Sequence, residues 1–320
     1  MNILITGAGG FVGMATLAEA LRQGHKIICT HSSKEAAEAA KSFTPNSVQH
    51  ITIDINGTTD WGNFLNGVDV VIHLAARTHV LKETSEDPLH AFRQVNAGGT
   101  RRLAKYAVNA GVSRFILLSS IHVNGVESTK PFTESDKPNP TTPYAVSKLE
   151  SEEALLDISF NSSMQPIIIR PPLLYGPGVK ANFYALLKMA SMPLPFAWIQ
   201  NHRSLLGVRN AANFLLHCAN YNNIPSTLYL LSDGEDISTP NLIKTISKNL
   251  GKKSRLFGFP IIFLKIASHI LNRPSTYFSL VCNLQVDSQK ARSELNWEPI
   301  MSLEEGLSET CQWFKNVRNK

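Results

Sequence analysis

Short apolar runs alternate with helical patterns through the first half of the chain. Seven such runs predict β-strands, at 2–6, 26–30, 50–54, 69–74, 114–119, 166–170 and 227–231. The longer segments between them carry apolar residues at helical spacing, with polar residues on the opposite side. This alternation predicts βαβ units and therefore an α/β fold, a doubly wound parallel sheet with helices on both faces.

A glycine-rich turn follows the first predicted strand. The residues Thr6-Gly-Ala-Gly-Gly-Phe-Val-Gly13 join that strand to an amphipathic helical pattern. Glycines here permit a tight turn, close approach of the backbone to a pyrophosphate and tight packing of helix on strand. The pyrophosphate would lie at the helix N-terminus, where free N–H groups and the dipole favour an anion. The spacing Gly7, Gly10, Gly13 differs from G-x-G-x-x-G, but its place after an N-terminal strand predicts a Rossmann-type dinucleotide site.

The pattern changes after Arg170-Pro171-Pro172, where prolines and glycines begin to interrupt it. We predict a dinucleotide-binding Rossmann domain over residues 1–171 and a smaller region over 172–320 that mainly binds the substrate. The strand near 227–231 is expected to return to the first sheet.

Composition narrows the class of protein. An apolar content of 43% and a charged content of 18% in 320 residues are ordinary for a soluble enzyme. The net charge of +6 suits an anionic ligand, and no run of basic residues marks a nucleic-acid surface. The four cysteines have neither C-x-x-C nor metal-ligand spacing, so we expect no metal site, no disulfide framework and a cytoplasmic location.

No integral membrane segment is expected. The first strand begins at residue 2, which leaves no room for a signal peptide. The most apolar stretch, Leu256 to Leu271, contains Pro260, Lys265 and His269 and is too short to span a bilayer. We predict that it forms a core helix of the second region, with peripheral membrane contact as the alternative.

Tyr144 and Lys148 are the clearest candidates for chemistry. They lie four residues apart in Pro143-Tyr-Ala-Val-Ser-Lys148, on one face of a predicted helix. A nearby ammonium favours the phenolate and lowers a tyrosine pKa from about 10, which gives a base for a hydroxyl proton near neutral pH. Taken alone, the pair is better explained as a half-buried tyrosine and a solvated lysine, because any helix can place the two residues at this spacing. The glycine turn in the same chain favours the catalytic interpretation.

With these motifs the chain resembles the extended short-chain dehydrogenase/reductase family, specifically its NAD(P)-dependent epimerase/dehydratase members and their UDP-sugar 4-epimerase and 4-ketoreductase branch. The resemblance runs nearly end to end. It implies that NAD or NADP is bound by Gly7, Gly10, Phe11, Val12, Gly13, His31, Ser32, Lys34, Asp54, Ile55, Leu74, Ala75, Ala76, Asn96, Tyr144, Lys148 and Pro171. Asp54 matches the position that hydrogen-bonds the adenine, and Asn96 matches a structural asparagine behind the active site.

The segment Leu118-Ser-Ser-Ile-His-Val-Asn-Gly125 resembles the strand that carries the catalytic hydroxyl. Counting back from Gly125 selects Ser120, 24 residues before Tyr144, and makes Ser119 its control. Either serine alone could equally be a satisfied hydroxyl at a strand end. The resemblance implies that Ser120 bonds the sugar oxygen at C4, that Tyr144 exchanges its proton, and that Lys148 keeps the phenol acidic and holds the nicotinamide ribose.

The second half continues the resemblance. Arg170-Pro-Pro-Leu-Leu-Tyr-Gly-Pro-Gly178 is similar to the segment that packs against the nicotinamide and opens the substrate region. Asn182 and Arg203 match residues that hold the sugar-nucleotide diphosphate, a role that suits the planar fork of arginine. The segment Leu295-Asn-Trp-Glu-Pro299 is similar to a structural element near the end of family members.

The chain departs from the family pattern at two places. Asn124 replaces the usual tyrosine of a Val-Tyr-Gly segment, and we expect it to alter the sugar pocket. At the end of the second strand, His31 occupies the position where NAD enzymes carry an acid for the ribose 2′-hydroxyl, and Ser32, Ser33 and Lys34 follow it. Without that carboxylate the site repels a 2′-phosphate less, so we expect NADP(H) to be accepted and modestly favoured.

The cofactor loop bears on the function. An epimerase retains its NAD through the cycle, whereas a reductase exchanges reduced cofactor every turnover. The loop after the second strand modestly favours an NADPH-dependent C4-ketoreductase that acts on a UDP-4-keto-6-deoxy-N-acetylhexosamine. The alternative is a UDP-glucose or UDP-N-acetylglucosamine 4-epimerase, and a non-catalytic NAD(P)-sensing protein ranks below both because Ser120, Tyr144 and Lys148 are all present. Family members commonly pair through two helices, one of which bears the tyrosine, so we expect a homodimer.

Overall fold

The computed structural model describes residues 1–78, 85–192, 195–197, 199–252, 255–257 and 280–318. The strands are β1 (Asn2–Thr6), β2 (Lys26–His31), β3 (Gln49–Thr52), β4 (Val70–His73), β5 (Arg114–Leu118), β6 (Gln165–Arg170), β7 (Leu173–Tyr175), β8 (Pro195–Ala197), β9 (Arg203–Gly207), β10 (Leu228–Leu230), β11 (Asp236–Ile237) and β12 (Arg255–Phe257). The α-helices are α1 (Phe11–Arg22), α2 (Lys34–Lys41), α3 (Pro88–Arg93), α4 (Gly99–Asn109), α5 (Pro143–Ser159), α6 (Ala181–Ser191), α7 (Val208–Asn220), α8 (Thr239–Asn249), α9 (Gln289–Leu295) and α10 (Leu303–Arg318).

The main sheet has seven parallel strands in the order β10-β6-β5-β4-β1-β2-β3. All seven predicted strands form, and the predicted doubly wound α/β fold is confirmed. The strand order reverses between β1 and β4, so this is the switch point of the sheet. In open parallel sheets, ligands bind in the crevice outside the carboxyl ends of the strands at such a point.

The strands are nearly continuous apolar runs because both faces of the sheet are covered. Successive residues point to opposite faces: Ile3 and Ile5 join the cluster beneath α1 and α7, whereas Leu4 joins the cluster beneath α4 and α5. All three side chains are completely buried. The hydrophobic pattern of β1 therefore fixes both its place in the sheet and its orientation.

A second, smaller layer follows β6 in the chain. Strand β9 pairs in parallel with β7 and antiparallel with β11. A separate apolar cluster packs helices α6, α8 and α10 around the buried rings of Tyr175 and Phe183. Of the apolar stretch predicted as a helix from Leu256, only Leu256 and Phe257 are described, in β12, and 258–271 lie outside the described residues.

Two features of the described residues bear on function. None of the helices within these ranges is long and apolar enough to cross a membrane. Within the same ranges, no group of three or more histidine, cysteine, aspartate or glutamate side chains could hold a metal ion.

Candidate active site and dinucleotide cleft

The glycine turn joins β1 to α1 at the switch point of the sheet. Gly7 has a φ of +68°, and a Cβ there would lie 2.8 Å from the backbone nitrogen of Ala75. A Cβ on Gly13 would lie 2.1 Å from the carbonyl oxygen of Gly7. Side chains at these two positions are therefore excluded, because the backbones of the turn, of α1 and of the segment after β4 approach too closely. Gly10 is the N-cap of α1, so the N–H groups of Phe11 and Val12 begin the helix at this point.

A buried hydroxyl ties the turn to the neighbouring strand. Thr6 Oγ1 accepts hydrogen bonds from the backbone N–H groups of Leu74 at 3.2 Å and Ala75 at 3.1 Å. It also lies 2.6 Å from His73 Nδ1, and His73 Nε2 lies 3.1 Å from Thr100 Oγ1. Burial lowers the pKa of His73 to about 3, so the ring is neutral at pH 7. The carboxyl ends of β1 and β4 are thus held together where the crevice forms.

The remaining residues predicted for cofactor binding differ in their exposure around this crevice. Leu74, Ala75 and Ala76 are half-buried after β4, whereas Asp54 is exposed after β3. Ile55 is buried against the start of α4, where its Cγ2 lies 2.8 Å from the position of a Cβ on Gly99. Ile55 therefore packs within the core, and Asp54 is the residue of that pair available to a ligand.

Asn96 connects the cofactor crevice to the helix that carries Tyr144. It is buried within a π-helical turn, Gln94–Gly98, between α3 and α4. Its Oδ1 accepts from the backbone N–H of Arg77 at 2.8 Å, and its Nδ2 donates to Ser147 Oγ at 2.9 Å and to the Arg77 carbonyl at 3.1 Å. The side chain is thus used in protein contacts, as expected for a structural asparagine.

Helix α5 carries Tyr144 in its first turn. Pro143 is the first helical residue and Thr142 the N-cap, whose hydroxyl accepts from the backbone N–H of Ala145 at 3.2 Å. Lys148 lies one turn further along the same face, and its Nζ donates to the Leu118 carbonyl at 2.7 Å. The cap and the proline fix where the helix begins, and therefore where the phenol points.

Ser120 meets Tyr144 from the end of β5. It caps a short 3₁₀ turn, Ile121–Val123, by accepting from the backbone N–H of His122 at 3.2 Å. Its hydroxyl also lies close enough to the phenol of Tyr144 to lower the pKa of that group. Pro171, which directly follows β6, is buried and accepts from the backbone N–H of Ile121 at 3.0 Å. The three residues predicted for catalysis, Ser120, Tyr144 and Lys148, are thereby grouped at the carboxyl end of β5.

The electrostatics of this group differ from the sequence-based expectation. Burial raises the pKa of Tyr144 to about 12, opposed by the nearby hydroxyl of Ser120. Burial also lowers the pKa of Lys148 to about 8, opposed by the carboxylate of Glu152. The prediction that Lys148 lowers the pKa of Tyr144 below its usual value is therefore wrong for this structure, because desolvation of the phenolate dominates.

A buried ionic network joins α5 to the strand β6. Arg170 donates from Nε to Glu152 Oε1 at 2.9 Å and from Nη2 to Glu152 Oε2 at 2.5 Å. Its Nη1 donates to Asn124 Oδ1 at 2.9 Å, and Ser119 donates its hydroxyl to Glu152. Ser119 is therefore occupied in the network and turned away from the role predicted for Ser120.

Asn124 also belongs to this network. Its side chain is only 2% exposed and supplies an acceptor to Arg170. Asn124 therefore supports the site through the buried guanidinium, and the effect of its replacing a tyrosine on the sugar pocket stays a prediction.

The two residues predicted to hold a diphosphate have different surroundings. Asn182 is exposed in the first turn of α6, next to Ala181, whose φ of +51° is unusual for a residue with a Cβ. Arg203 is buried at the start of β9, where Nη1 donates to the Cys282 carbonyl at 2.9 Å. Its burial sets Arg203 apart from an ordinary solvated surface arginine.

His31 ends β2 beside the glycine turn. The ring is 3% exposed, its Nε2 lies 2.9 Å from His50 Nδ1, and the two rings stack with centroids 5.1 Å apart. Its Nδ1 is buried without a hydrogen-bond partner, and a Cβ on Gly9 would lie 3.4 Å from it. Ser32 and Lys34 are exposed, and Ser33 caps α2. An unsatisfied buried nitrogen beside a glycine cradle fits the binding of a dinucleotide.

Sequence reasoning missed the residues that support the site. Glu152 had a detectable signal, because it lies four residues after Lys148 and so on the same helical face. Ser147 lay inside the catalytic segment but was not assigned a role. His50 had no local signal, because its contact with His31 depends on the pairing of β2 with β3.

The parallel sheet, the glycine turn at its switch point and the adjoining Ser-Tyr-Lys group define the class of an NAD(P)-dependent α/β enzyme. Residues 3–223 match the model of the NAD dependent epimerase/dehydratase family. The chain therefore belongs to this family, as the resemblance implied.

Comparison with individual proteins agrees with this assignment. The chain is 36% identical to a UDP-glucose 4-epimerase from Vibrio cholerae, over the whole of this chain and 97% of that protein. It is also similar to the structure of a UDP-glucuronic acid 4-epimerase from Bacillus cereus in complex with NAD, with a TM-score of 0.80, 22% identity and 99% of both chains covered. A UDP-N-acetylglucosamine 4-epimerase from Bacillus cereus gives a TM-score of 0.78 at 21% identity, covering 98% of this chain and 96% of that one.

Proposed function

We propose that the protein is a UDP-sugar 4-epimerase that uses NAD. The observation that carries the proposal is the grouping of Ser120, Tyr144 and Lys148 at the carboxyl end of β5, two strands from the glycine turn in the sheet. The full-length similarity to the Vibrio cholerae UDP-glucose 4-epimerase supports the substrate class.

Each residue of the group has a distinct part in the proposed reaction. Ser120 hydrogen-bonds the C4 oxygen of the sugar and orients it toward the phenol. Tyr144 takes the proton of the C4 hydroxyl during oxidation and returns it when the 4-ketone is reduced on its other face. A bound nicotinamide would accept the hydride from C4 and return it, and the protein would supply position and electrostatics.

The pKa of the phenol indicates what else the reaction requires. At about 12, Tyr144 is protonated at neutral pH and prepared to donate to a ketone oxygen. Its use as a base requires positive charge near the phenolate, and Lys148 is the cation on the same helical face. With a pKa of about 8, Lys148 is still mostly charged at pH 7 and able to fill this role.

The C-terminal region, residues 172–320, is proposed to bind the sugar nucleotide. Asn182 and Arg203 are the proposed diphosphate ligands. The left-handed backbone of Ala181 supports a functional loop here, because such a conformation in a residue with a Cβ costs about 1–3 kcal/mol and persists at ligand sites. Asp54, exposed after β3, is the proposed adenine contact.

The second candidate is the NADPH-dependent C4-ketoreductase. The observation that favours it is the absence of an acid among His31, Ser32, Ser33 and Lys34, which removes the repulsion toward a 2′-phosphate. The comparisons support an epimerase more directly, so we rank the reductase second. A non-catalytic nucleotide sensor ranks third.

The proposed enzyme is expected to act in the cytoplasm as a homodimer built on α4 and α5. Support for the dimer comes from the C-terminal end of α5, where Leu156 is 38% exposed and Phe160, directly after the helix, is 83% exposed. Light scattering gives the mass in solution, and Phe160→Ser is expected to weaken a dimer formed there.

Direct assays separate the three candidates. We expect the purified protein to interconvert UDP-glucose with UDP-galactose, or the N-acetylated pair, without added cofactor, and to release stoichiometric NAD on denaturation. Tyr144→Phe removes only the phenolic hydroxyl, so it is expected to abolish epimerisation while the released NAD stays unchanged. Turnover only of 4-keto sugars with added NADPH favours the reductase. Bound nucleotide without turnover on either panel favours the sensor.

A further inference from the structure

A hydrogen-bond chain behind β2 determines which nitrogen of His31 carries a proton. Thr44 Oγ1 donates its single proton to the Ala40 carbonyl at 3.0 Å. His50 Nε2 lies 2.9 Å from the same hydroxyl oxygen, Thr44 Oγ1. The arrangement that keeps both contacts has the Thr44 hydroxyl donating to the carbonyl and accepting from His50, so we assign the proton to His50 Nε2.

The assignment passes from His50 to His31. A neutral imidazole has one donor nitrogen and one acceptor, so His50 Nδ1 is an acceptor. His31 Nε2, 2.9 Å away, therefore donates to it, and His31 Nδ1 keeps a bare lone pair. Burial lowers the pKa of both rings, which favours the neutral forms this assignment needs.

The lone pair of His31 is buried beside the cofactor turn. Nδ1 has no partner, and Gly9 of the turn is the residue whose added Cβ would contact it, at 3.4 Å. In related nucleotide sites, a carboxylate at the end of this strand accepts a hydrogen bond from the adenosine ribose 2′-hydroxyl. A bare imidazole nitrogen has the same hydrogen-bonding role without the charge.

We propose that the Thr44–His50–His31 chain makes His31 Nδ1 an acceptor for the adenosine ribose 2′-hydroxyl and thereby selects NAD(H) over NADP(H). The inference rests on the proposed function only in that a dinucleotide binds at the glycine turn. It opposes the preference for NADP(H) that the missing acid suggests. A 2′-phosphate carries only acceptor oxygens, and these cannot hydrogen-bond an acceptor nitrogen. Ser32 and Lys34 are exposed, and such donors bind a phosphate in competition with water.

The selection depends on pH in a defined direction. Protonation of the His31–His50 pair places a proton on His31 Nδ1. This nitrogen then becomes a hydrogen-bond donor and can bind a phosphate oxygen. Of the charged groups facing the pair from α2, Lys41 opposes protonation of His50 and Glu38 favours it. The preference for NAD is therefore expected to be strongest above neutral pH and to weaken toward pH 5.

A competition experiment tests the inference without measuring activity. The purified protein is exchanged to a constant ratio against equimolar isotope-labelled NAD and NADP, desalted and denatured, and each labelled nucleotide released is quantified by mass, so that NAD retained from expression is not counted. At pH 8 we expect at least about tenfold more released NAD than NADP. The reason is that NADP would leave the buried acceptor His31 Nδ1 facing a phosphate that cannot donate a hydrogen bond. At pH 5.5 the ratio is expected to fall.

Variants assign the effect to the hydrogen-bond chain. His50→Phe keeps the aromatic stacking and removes the acceptor for His31 Nε2, so His31 can present a donor and the NAD:NADP ratio is expected to approach one. His31→Asp restores a charged acceptor and is expected to keep the preference, and Lys34→Ala is the matched control. A wild-type ratio near or below one, or an unchanged ratio in His50→Phe, overturns the inference. Failure to bind either nucleotide overturns the proposed function and this inference with it.

Discussion

The buried pair of Arg170 and Glu152, which joins α5 to β6, is expected to contribute strongly to the stability of the protein. Both side chains are 4% exposed, and two nitrogens of the guanidinium bond the two carboxylate oxygens. Glu152→Gln keeps the shape, but it leaves the Arg170 charge uncompensated and turns an amide donor toward it. Removing one partner of a buried pair costs about 3–5 kcal/mol, and we expect a loss of stability in this range.

The matched control is Glu309→Gln, which breaks a surface pair with Arg209. These side chains are 37% and 54% exposed, and the charged atoms are 3.3 Å apart. Exposed pairs contribute about 0–1 kcal/mol, so the control should lose at most that much.

Urea unfolding followed by circular dichroism compares the two variants at low salt and at 1 M NaCl. Salt screens exposed charges and leaves buried ones largely unaffected, so the large effect should persist in Glu152→Gln only. If Glu152→Gln does not fold, Arg170→Lys keeps the charge and loses the bidentate geometry, and a smaller loss is expected. Equal losses for Glu152→Gln and Glu309→Gln, or a loss that vanishes in 1 M salt, would refute the reasoning.

Three further predictions concern the site and its pH response. Ser119→Ala removes a donor to the buried Glu152 carboxylate and is expected to lower the free energy of unfolding in urea by about 1–3 kcal/mol. Ser120→Ala should chiefly lower kcat. The opposite pattern would reverse the roles assigned to the two serines. Gly13→Ala places a Cβ 2.1 Å from a backbone oxygen and should prevent retention of nucleotide measured by mass, while Gly57→Ala, which lies outside the turn and leaves 3.6 Å to its nearest neighbour, should retain it. The pKa of His73 is lowered to about 3, so the folded protein keeps this ring neutral, whereas the unfolded chain protonates it below about pH 6.5. The free energy of unfolding should therefore fall with decreasing pH, by up to about 1.4 kcal/mol per pH unit. His73→Gln should flatten that slope.

The main sheet was predictable because its signals are local. Each buried strand is a short apolar run, and the glycines at 7 and 13 are required by backbone approaches of less than 3 Å. The pairing of Ser120 with Tyr144 was also predictable, since the fold brings the end of β5 to the start of α5. Such features depend on pattern and topology, which the sequence carries directly.

The support and protonation of the site were not predictable in the same way. The burial that raises the pKa of Tyr144 depends on every element packed around it, and the sequence gives only its charged neighbour. Asn124 and His50 act through partners 46 and 19 residues away, on other elements. Their roles follow from three-dimensional contacts, which local spacing does not encode.

Isotope retention tests the proposed epimerase most directly. UDP-glucose or UDP-N-acetylglucosamine carrying deuterium at C4 is incubated with the purified protein, and the product is analysed by NMR and mass spectrometry. An epimerase that holds its cofactor through the cycle returns the same hydride, so the C4 epimer should keep the deuterium without added nucleotide. No epimer from either sugar, together with oxidation of added NADPH by a 4-keto sugar, would contradict the proposal.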